Sequence, residues 1–196
     1  DLAVRLNFCT LDDNGKVTDR RAGRIPTELN QELVAKLADV GTLTHKVEFA
    51  TERRHRAVLV LRGKGLDPRV RETDPQDTWV PPCPPEALHP DAAHTAQILA
   101  AIEGQVRERS GCESPANFIL MRGYGQHHPL PSLESRFKLR TACLAIYPMY
   151  AGVGKMTGMT VLPAGEEFSD QITALEESWD DFDLFFVHVK EPDSMG

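Results

Sequence analysis

Cysteine is scarce. Four occur in 196 residues, Cys9, Cys83, Cys112 and Cys143, and no two are close enough for a CxxC metal or redox motif. So few in so long a chain do not make a disulfide scaffold, and the sequence suits a reducing cytoplasm. Cys9 and Cys143 lie inside apolar runs and read as small buried hydrophobes. Long apolar runs are missing too: none approaches the roughly 20 residues that a membrane-spanning helix needs. There is no collagen period, heptad series or solenoid repeat. Positive charge is not in excess. With 22 Lys and Arg against 29 Asp and Glu the net charge is −7, which argues against a general nucleic-acid binder. The GxSxG nucleophile elbow is absent, and Gly152-Val153-Gly154-Lys155 lacks the spacing of a P-loop. No secretion signal is visible. An initiator Met is also missing. The chain begins at Asp1 on what reads as a strand, and its other end runs from a strong strand straight into a polar turn. Those two ends lead us to expect a piece of a longer protein.

What is present fits a folded, soluble chain: 41% hydrophobic and 26% charged residues. The charge is uneven. Residues 1–72 hold 14 Lys and Arg against 11 Asp and Glu, whereas residues 73–196 hold 8 against 18. The basic excess gathers in Arg20, Arg21 and Arg24, then in Arg53, Arg54, Arg56 and Arg62. A solvated face is the plain reading of any one of these. Two Arg groups near strand ends also suit an oxyanion, because guanidinium binds phosphate or carboxylate bidentately.

Residues 2–11 alternate as a strand, Asn14-Gly15 turns it, and Lys16 to Asp19 return as a short partner. Arg20 to Arg24 make a loop. Leu29, Leu33, Val34 and Leu37 fall at helical spacing over 27–38, and Gly41 ends that stretch. Residues 43–50 and 55–61 read as a second hairpin. Seven prolines between 67 and 90 predict a long loop without regular structure. A helix over 90–109 and a buried strand over 117–121 follow. Next come short helices at 132–137 and 149–157, strands at 141–147 and 159–162, a helix at 168–179, and a strand over 182–190 read as buried on both faces. The first part looks antiparallel and the last 80 residues look partly parallel, which gives a mixed α/β class. The boundary is expected in the proline-rich loop, although one mixed sheet covered by helices accommodates everything.

Few residues carry chemistry on their own. His127-His128 is a poor chelate, because neighbours on an extended segment point opposite ways. His55 within RRHR is a candidate anion ligand; His188 within FFVHVK reads as a satisfied core histidine. Arg122-Gly123-Tyr124-Gly125 is a weak phosphate-turn pattern and a tight turn on the plain reading. Asp193 follows the last strand, at the strand end where open α/β sheets gather ligands.

Longer stretches carry a resemblance. NFCTLDDNGKVTDRRAGRI (7–25), HRAVLVLRGKGL (55–66), ETDP (72–75), ANFILMRGYG (116–125), LPSLESRFKLRTACLA (130–145) and FDLFFVHVKEPDSMG (182–196) resemble, in order, segments of the archaeal-type cofactor-independent phosphoglycerate mutases, members of the alkaline phosphatase superfamily. DRRAGRI and VHVK together are the specific part. The resemblance implies interconversion of 3- and 2-phosphoglycerate through a phosphoserine, with two divalent metals (Mn or Mg, Zn as the alternative) and no organic cofactor. It implies an inserted substrate-binding lid over 1–181, with 182–196 starting the C-terminal part of the metal-binding core. The nucleophilic Ser and most metal ligands would lie outside this chain, so the chain alone is expected to be inactive. By motif, the substrate residues would be Arg20, Arg21, Arg24, His55, Arg56, Arg62, Asp74 and Arg140, and Asp193 would be a metal ligand. The partners implied are a phosphoglycerate and the remainder of the parent chain, with no nucleic acid and no membrane. Three departures stand out. Arg140 replaces a Lys, EPDSM replaces ATDEA, and LPAGEE replaces a VPGATG run. Two rivals remain: the lid of a related phosphatase or phosphonate-processing enzyme, and a non-catalytic module that binds a small anion.

Overall fold

In a computed structural model of the chain, the described residues are 1–110 and 115–189. They sort into two units, Asp1–His127 and His128–Gly196. The mixed α/β class holds, but the strands form two sheets, one antiparallel and one parallel. The proline-rich loop does not divide the units. It belongs to the first, and the division falls within the loop after residue 125. Among the described residues no helix is long and apolar enough to cross a membrane.

The first unit is built around β1 (Leu2–Leu11), which pairs antiparallel with three strands. These are β2 (Val17–Asp19) at its end, β4 (Arg56–Arg62) along one edge and β5 (Phe118–Gly125) along the other. β3 (Lys46–Arg53) pairs with β4 as the outer strand. Alternation sorts the side chains. Leu2, Val4, Leu6 and Phe8 of β1 join Ala57, Leu59 and Leu61 of β4 and Ile119 and Met121 of β5 in one core. Two helices cover that face: α1 (Thr27–Lys36) through Leu33, and α2 (Ala93–Ser110) through Leu99, Ile102 and Val106. Each fully buried aliphatic side chain of this kind contributes about 1.5–3 kcal/mol. The opposite face carries the intervening residues, Arg5 and Asn7 of β1, Arg56 of β4 and Arg122 of β5.

Local contacts fix the segments that frame this second face. The buried Asn30 of α1 donates through its side-chain amide to the carbonyls of Arg54 (2.6 Å) and Arg56 (3.0 Å), so the helix holds the apex of the β3–β4 hairpin. That apex sits at Arg54-His55, later than the expected 51–54 turn. The proline-rich segment is irregular as expected, yet it is pinned. The Thr73 N–H donates to the Met121 carbonyl (2.8 Å), and the Met121 N–H donates to the Thr73 hydroxyl (2.7 Å). Further along, the Trp79 N–H bonds the Val17 carbonyl (2.7 Å). Residues 122–125 are strand, not a tight turn. Gly123, with φ +59°, makes a bulge between the Ala3–Gly125 and Arg5–Arg122 pairs.

The second unit has β6 (Thr141–Ala145) between β7 (Thr160–Val161) and β8 (Leu184–His188), all parallel. A short helix, α3 (Leu133–Phe137), precedes the sheet. All five β6 residues are buried. Helix α4 (Pro148–Met156) lies close enough to β6 that a Cβ on Gly154 would meet Cys143 Sγ at 2.8 Å and Cβ at 2.9 Å. Helix α5 (Phe168–Glu177) supplies the buried Gln171, whose amide donates to the carbonyls of Leu144 and His188 (both 3.0 Å) and so ties β6 to β8. β8 is not buried on both faces: Leu184 and Phe186 are 40% and 41% exposed, because no strand lies beyond it among the described residues. His188 is half-buried rather than a core residue, with its ring stacked on Tyr150 at 3.5 Å.

Candidate anion-binding site

The site lies on the face of the antiparallel sheet opposite α1 and α2. Its anchor is Asp74, whose side chain has no exposed surface. Arg20 grips the carboxylate with two hydrogen bonds, Nε to Oδ1 and Nη2 to Oδ2, both 2.8 Å. Arg122 Nη1 donates to Oδ2 at 3.0 Å, and the Gln76 N–H donates to Oδ1 at 2.9 Å. Burial alone would raise this carboxyl. The Arg20 and Gln76 hydrogen bonds, with the Arg20 and Arg122 charges, outweigh it and hold the group below the usual carboxylate range. Arg20 is held above its ordinary value by the same contact. One carboxylate from the proline-rich segment thus fixes two guanidinium groups from separate elements, the turn after β2 and the strand β5.

That turn has its own organiser. Asp19 accepts the N–H groups of Arg21 and Gly23, both at 2.7 Å. The three residues Ala22, Gly23 and Arg24 all have positive φ, +47°, +65° and +55°. Only glycine adopts this region without cost, so a run of three is held by its surroundings: the Asp19 bonds and the fully buried Ala22 methyl. The spacing of DRRAGR follows. Asp caps the turn, Ala plugs it into the core, and Arg21 and Arg24 stay exposed. Among the described residues neither has an ion-pair partner.

His55 sits at the hairpin apex, 5% exposed, and its carbonyl accepts the Phe8 N–H at 2.8 Å. Burial pushes its pKa down to about 4, helped by the charges of Arg56, Arg21, Arg5 and Arg24. The imidazole is therefore neutral at pH 7, and the four charges that weigh on it are all guanidinium groups. Arg5 feels the same crowding. Its pKa is lowered by burial and by Arg56 and Arg122, against the opposing charges of Glu52 and Asp74. Glu52 is raised by burial, with Arg56, Arg5 and Arg53 acting the other way. A sheet face that gathers several guanidinium groups, with the buried Asp74 and the half-buried Glu52 among them, is suited to receive an anion.

Residues 1–111 match the family described as 2,3-bisphosphoglycerate-independent phosphoglycerate mutase. The chain belongs to that family. A Thermus thermophilus protein named "Probable 2,3-bisphosphoglycerate-independent phosphoglycerate mutase" is 42% identical over 201 residues, which take in 100% of this chain and 50% of the relative. One of the same name from Aquifex aeolicus is 37% identical over 207 residues, 100% of this chain and 51% of the relative. Among solved structures, the cofactor-independent phosphoglycerate mutase of Thermoplasma acidophilum has a TM-score of 0.67 at 25% identity, covering 96% of this chain and 55% of its own. The PH0037 protein of Pyrococcus horikoshii shares the fold, with a TM-score of 0.67 at 20% identity over 95% of this chain and 46% of its own. The mutase-family chain thus spans about half the length of the curated relatives it matches.

The residues singled out by the phosphoglycerate mutase motifs divide into groups. Arg20, Arg21, Arg24, His55, Arg56 and Asp74 come together in the first unit. Arg62 does not join them. It stands at the other end of β4, six residues and roughly 20 Å along the strand from Arg56. There it is paired with Glu48 and Asp1, both at 2.9 Å. Arg140 lies in the second unit, where Nη2 meets Asp183 at 2.9 Å and the Asp183 carboxyl is drawn down to about 2 by that hydrogen bond. Asp193 lies outside the described residues. Among those described, no group of three or more His, Cys, Asp or Glu side chains is placed to hold a metal ion. They do not by themselves fit the divalent metals that the resemblance implies.

Arg5, Asn7, Glu52 and Arg122 are not among the substrate residues that the motifs imply, although Asn7 and Arg122 lie inside the quoted stretches. Arg5 and Arg122 are direct cross-strand partners, a fact that only the β1–β5 register reveals. The available signal was polarity out of place: an Arg and an Asn inside the apolar run LAVRLNFC, and an Arg closing the apolar strand FILMR.

Proposed function

We propose that this chain is the substrate-binding part of a cytoplasmic, glycolytic phosphoglycerate mutase that interconverts 3- and 2-phosphoglycerate. The first unit is the lid. The arginines at positions 5, 20, 21, 24, 56 and 122, with neutral His55, hold the phosphate and carboxylate ends of the substrate. Asp74 keeps Arg20 and Arg122 aimed without an ordering step at binding. Holding both ends while closing over them excludes water, which would otherwise take the phosphoryl group. The nucleophilic serine and the divalent metals, manganese or magnesium, belong to the rest of the parent chain, with Asp193 as a ligand. We place the junction of lid and core at 127/128 rather than 181/182, because β8 runs in register with β6 along its whole length.

The observation that carries this reading is the buried Asp74 carboxylate holding Arg20 and Arg122 on the sheet face that also carries Arg5 and Arg56. Isothermal titration of the chain with 3-phosphoglycerate tests it. Saturable binding that falls at least about 10-fold in Arg56→Gln is the expected result, since each charged hydrogen bond contributes about 1.5–3 kcal/mol. Binding unchanged in that variant would overturn the site. Mutase turnover by the chain alone would overturn the assignment of nucleophile and metals to the rest of the parent.

A further inference from the structure

The floor of the site contains an acceptor that a fully ionised anion cannot satisfy. Asn7 is 5% exposed, and its Oδ1 is buried with no hydrogen-bond partner. It lies among guanidinium donors. Arg56 stands directly opposite it on β4, and Arg5 precedes it by two residues on the same strand face. Arg5 Nε and His55 Nδ1 are also buried and unpartnered. A buried polar atom left unpaired costs free energy, so three around one spot mark a place completed by something else. An oxyanion would satisfy Arg5 Nε, because it accepts. A fully ionised one, a carboxylate or the dianion of a phosphate ester, would leave Asn7 Oδ1 as it is, because it brings no proton to donate.

We infer that Asn7 is a specificity-determining residue, whose carboxamide oxygen accepts a hydrogen bond from a hydroxyl group of the bound oxyanion. The ligand class is then a phosphorylated hydroxy acid rather than any small dianion. This rests on the reading of the arginine cluster as the substrate site and adds to it which atom reads the hydroxyl. Arg5 and Arg56 flank Asn7 and repel one another. Neither bonds the Asn7 carboxamide oxygen, so it stays open to the hydroxyl when they take the anionic groups of a ligand. Sites built to pair a hydroxyl discriminate strongly against ligands that lack it, since the protein acceptor is then stranded.

The test titrates the 196-residue chain with three probes: inorganic phosphate, 3-phosphoglycerate, and 3-phosphopropionate, which is the same acid without its hydroxyl. Wild type is expected to favour 3-phosphoglycerate over 3-phosphopropionate by about 10-fold or more. The Asn7→Leu variant should cut that ratio to about 2 or less, and Asn7→Ser, which keeps a hydroxyl acceptor, should restore part of it. Because Asn7→Leu can disturb the sheet, the side-chain amide resonance of Asn7 in wild type gives an independent readout. It should move with 3-phosphoglycerate and stay still with 3-phosphopropionate. A wild-type ratio near one, or an amide signal that responds equally to both acids, overturns the role of Asn7 and leaves the anion site standing. Failure of all three probes to bind overturns the site itself.

Discussion

Replacing Asp74 by Asn tests how the site is held together. The carboxylate is fully buried and accepts four hydrogen bonds, two from Arg20, one from Arg122 and one from the Gln76 N–H. An amide keeps the volume but removes the charge and turns an NH2 toward guanidinium donors. Removing one partner of a buried ion pair costs about 3–5 kcal/mol. Arg20 and Arg122 are 29% and 27% exposed, so they regain some hydration, and the lower figure of about 2–3 kcal/mol applies. With a urea slope of about 2 kcal/mol/M, the unfolding midpoint should drop by about 1–1.5 M. The two tryptophans help, since Trp79 lies in the first unit and Trp179 in the second. In a Trp179→Phe background, fluorescence follows the first unit alone. The pH dependence adds a signed check. The folded Asp74 carboxyl titrates below its unfolded value of about 3.9, so its stabilisation is complete above that value and is lost as pH falls through the folded one. The gap between wild type and D74N should be constant from about pH 7 to 5 and narrow below about pH 4. A midpoint shift under about 0.3 M at pH 7, or a gap that widens with acid, would refute the reasoning.

Three further outcomes follow from named contacts. The His55 ring should titrate near pH 4 by NMR, since burial and four arginines hold it neutral. Its folded pKa lies below the unfolded value of about 6.5, so this histidine's contribution to stability is lost as pH falls from there toward about 4; a midpoint above about 6 would contradict the burial. Arg62→Ala should leave 3-phosphoglycerate affinity within about 2-fold, because its guanidinium is taken up by Glu48 and Asp1; a loss of about 10-fold would place it in the site after all. Gly154→Ala should destabilise the second unit by about 1–3 kcal/mol, since the new methyl meets Cys143 Cβ on a fully buried strand at 2.9 Å, and a neutral result in thermal unfolding would show that α4 can move away.

Much of the fold was legible because alternation and turn chemistry are local. The strand of residues 2–11, the Asn14-Gly15 turn, the helix behind Leu33 and Leu37, and the irregular proline-rich loop all stand where periodicity puts them. What was not legible depends on partners distant in the chain. Arg5 and Arg122 become one feature only when β1 and β5 pair, 117 positions apart in sequence. Arg56 and Arg62 look alike as text, yet they stand at opposite ends of the same strand, one in the site and one in a surface ion pair. β8 reads as a buried strand from its FFV core, but burial is set by what lies beside a strand, and among the described residues nothing flanks β8 on its outer edge. The bulge at Gly123 turns an apparent phosphate turn into a strand, and that shift puts Arg122 on Asp74.

The central claim is that the face of the antiparallel sheet opposite α1 and α2 binds a phosphorylated hydroxy acid through the arginine cluster. The most direct measurement is 15N-resolved NMR of the chain titrated with 3-phosphoglycerate. Saturable shifts should be confined to Arg5, Asn7, Arg20 to Arg24, His55, Arg56, Asp74 and Arg122, and Arg122→Gln should weaken them at least about 10-fold. Shifts centred on the Arg140–Asp183 pair, or no saturable shift at all, would contradict it.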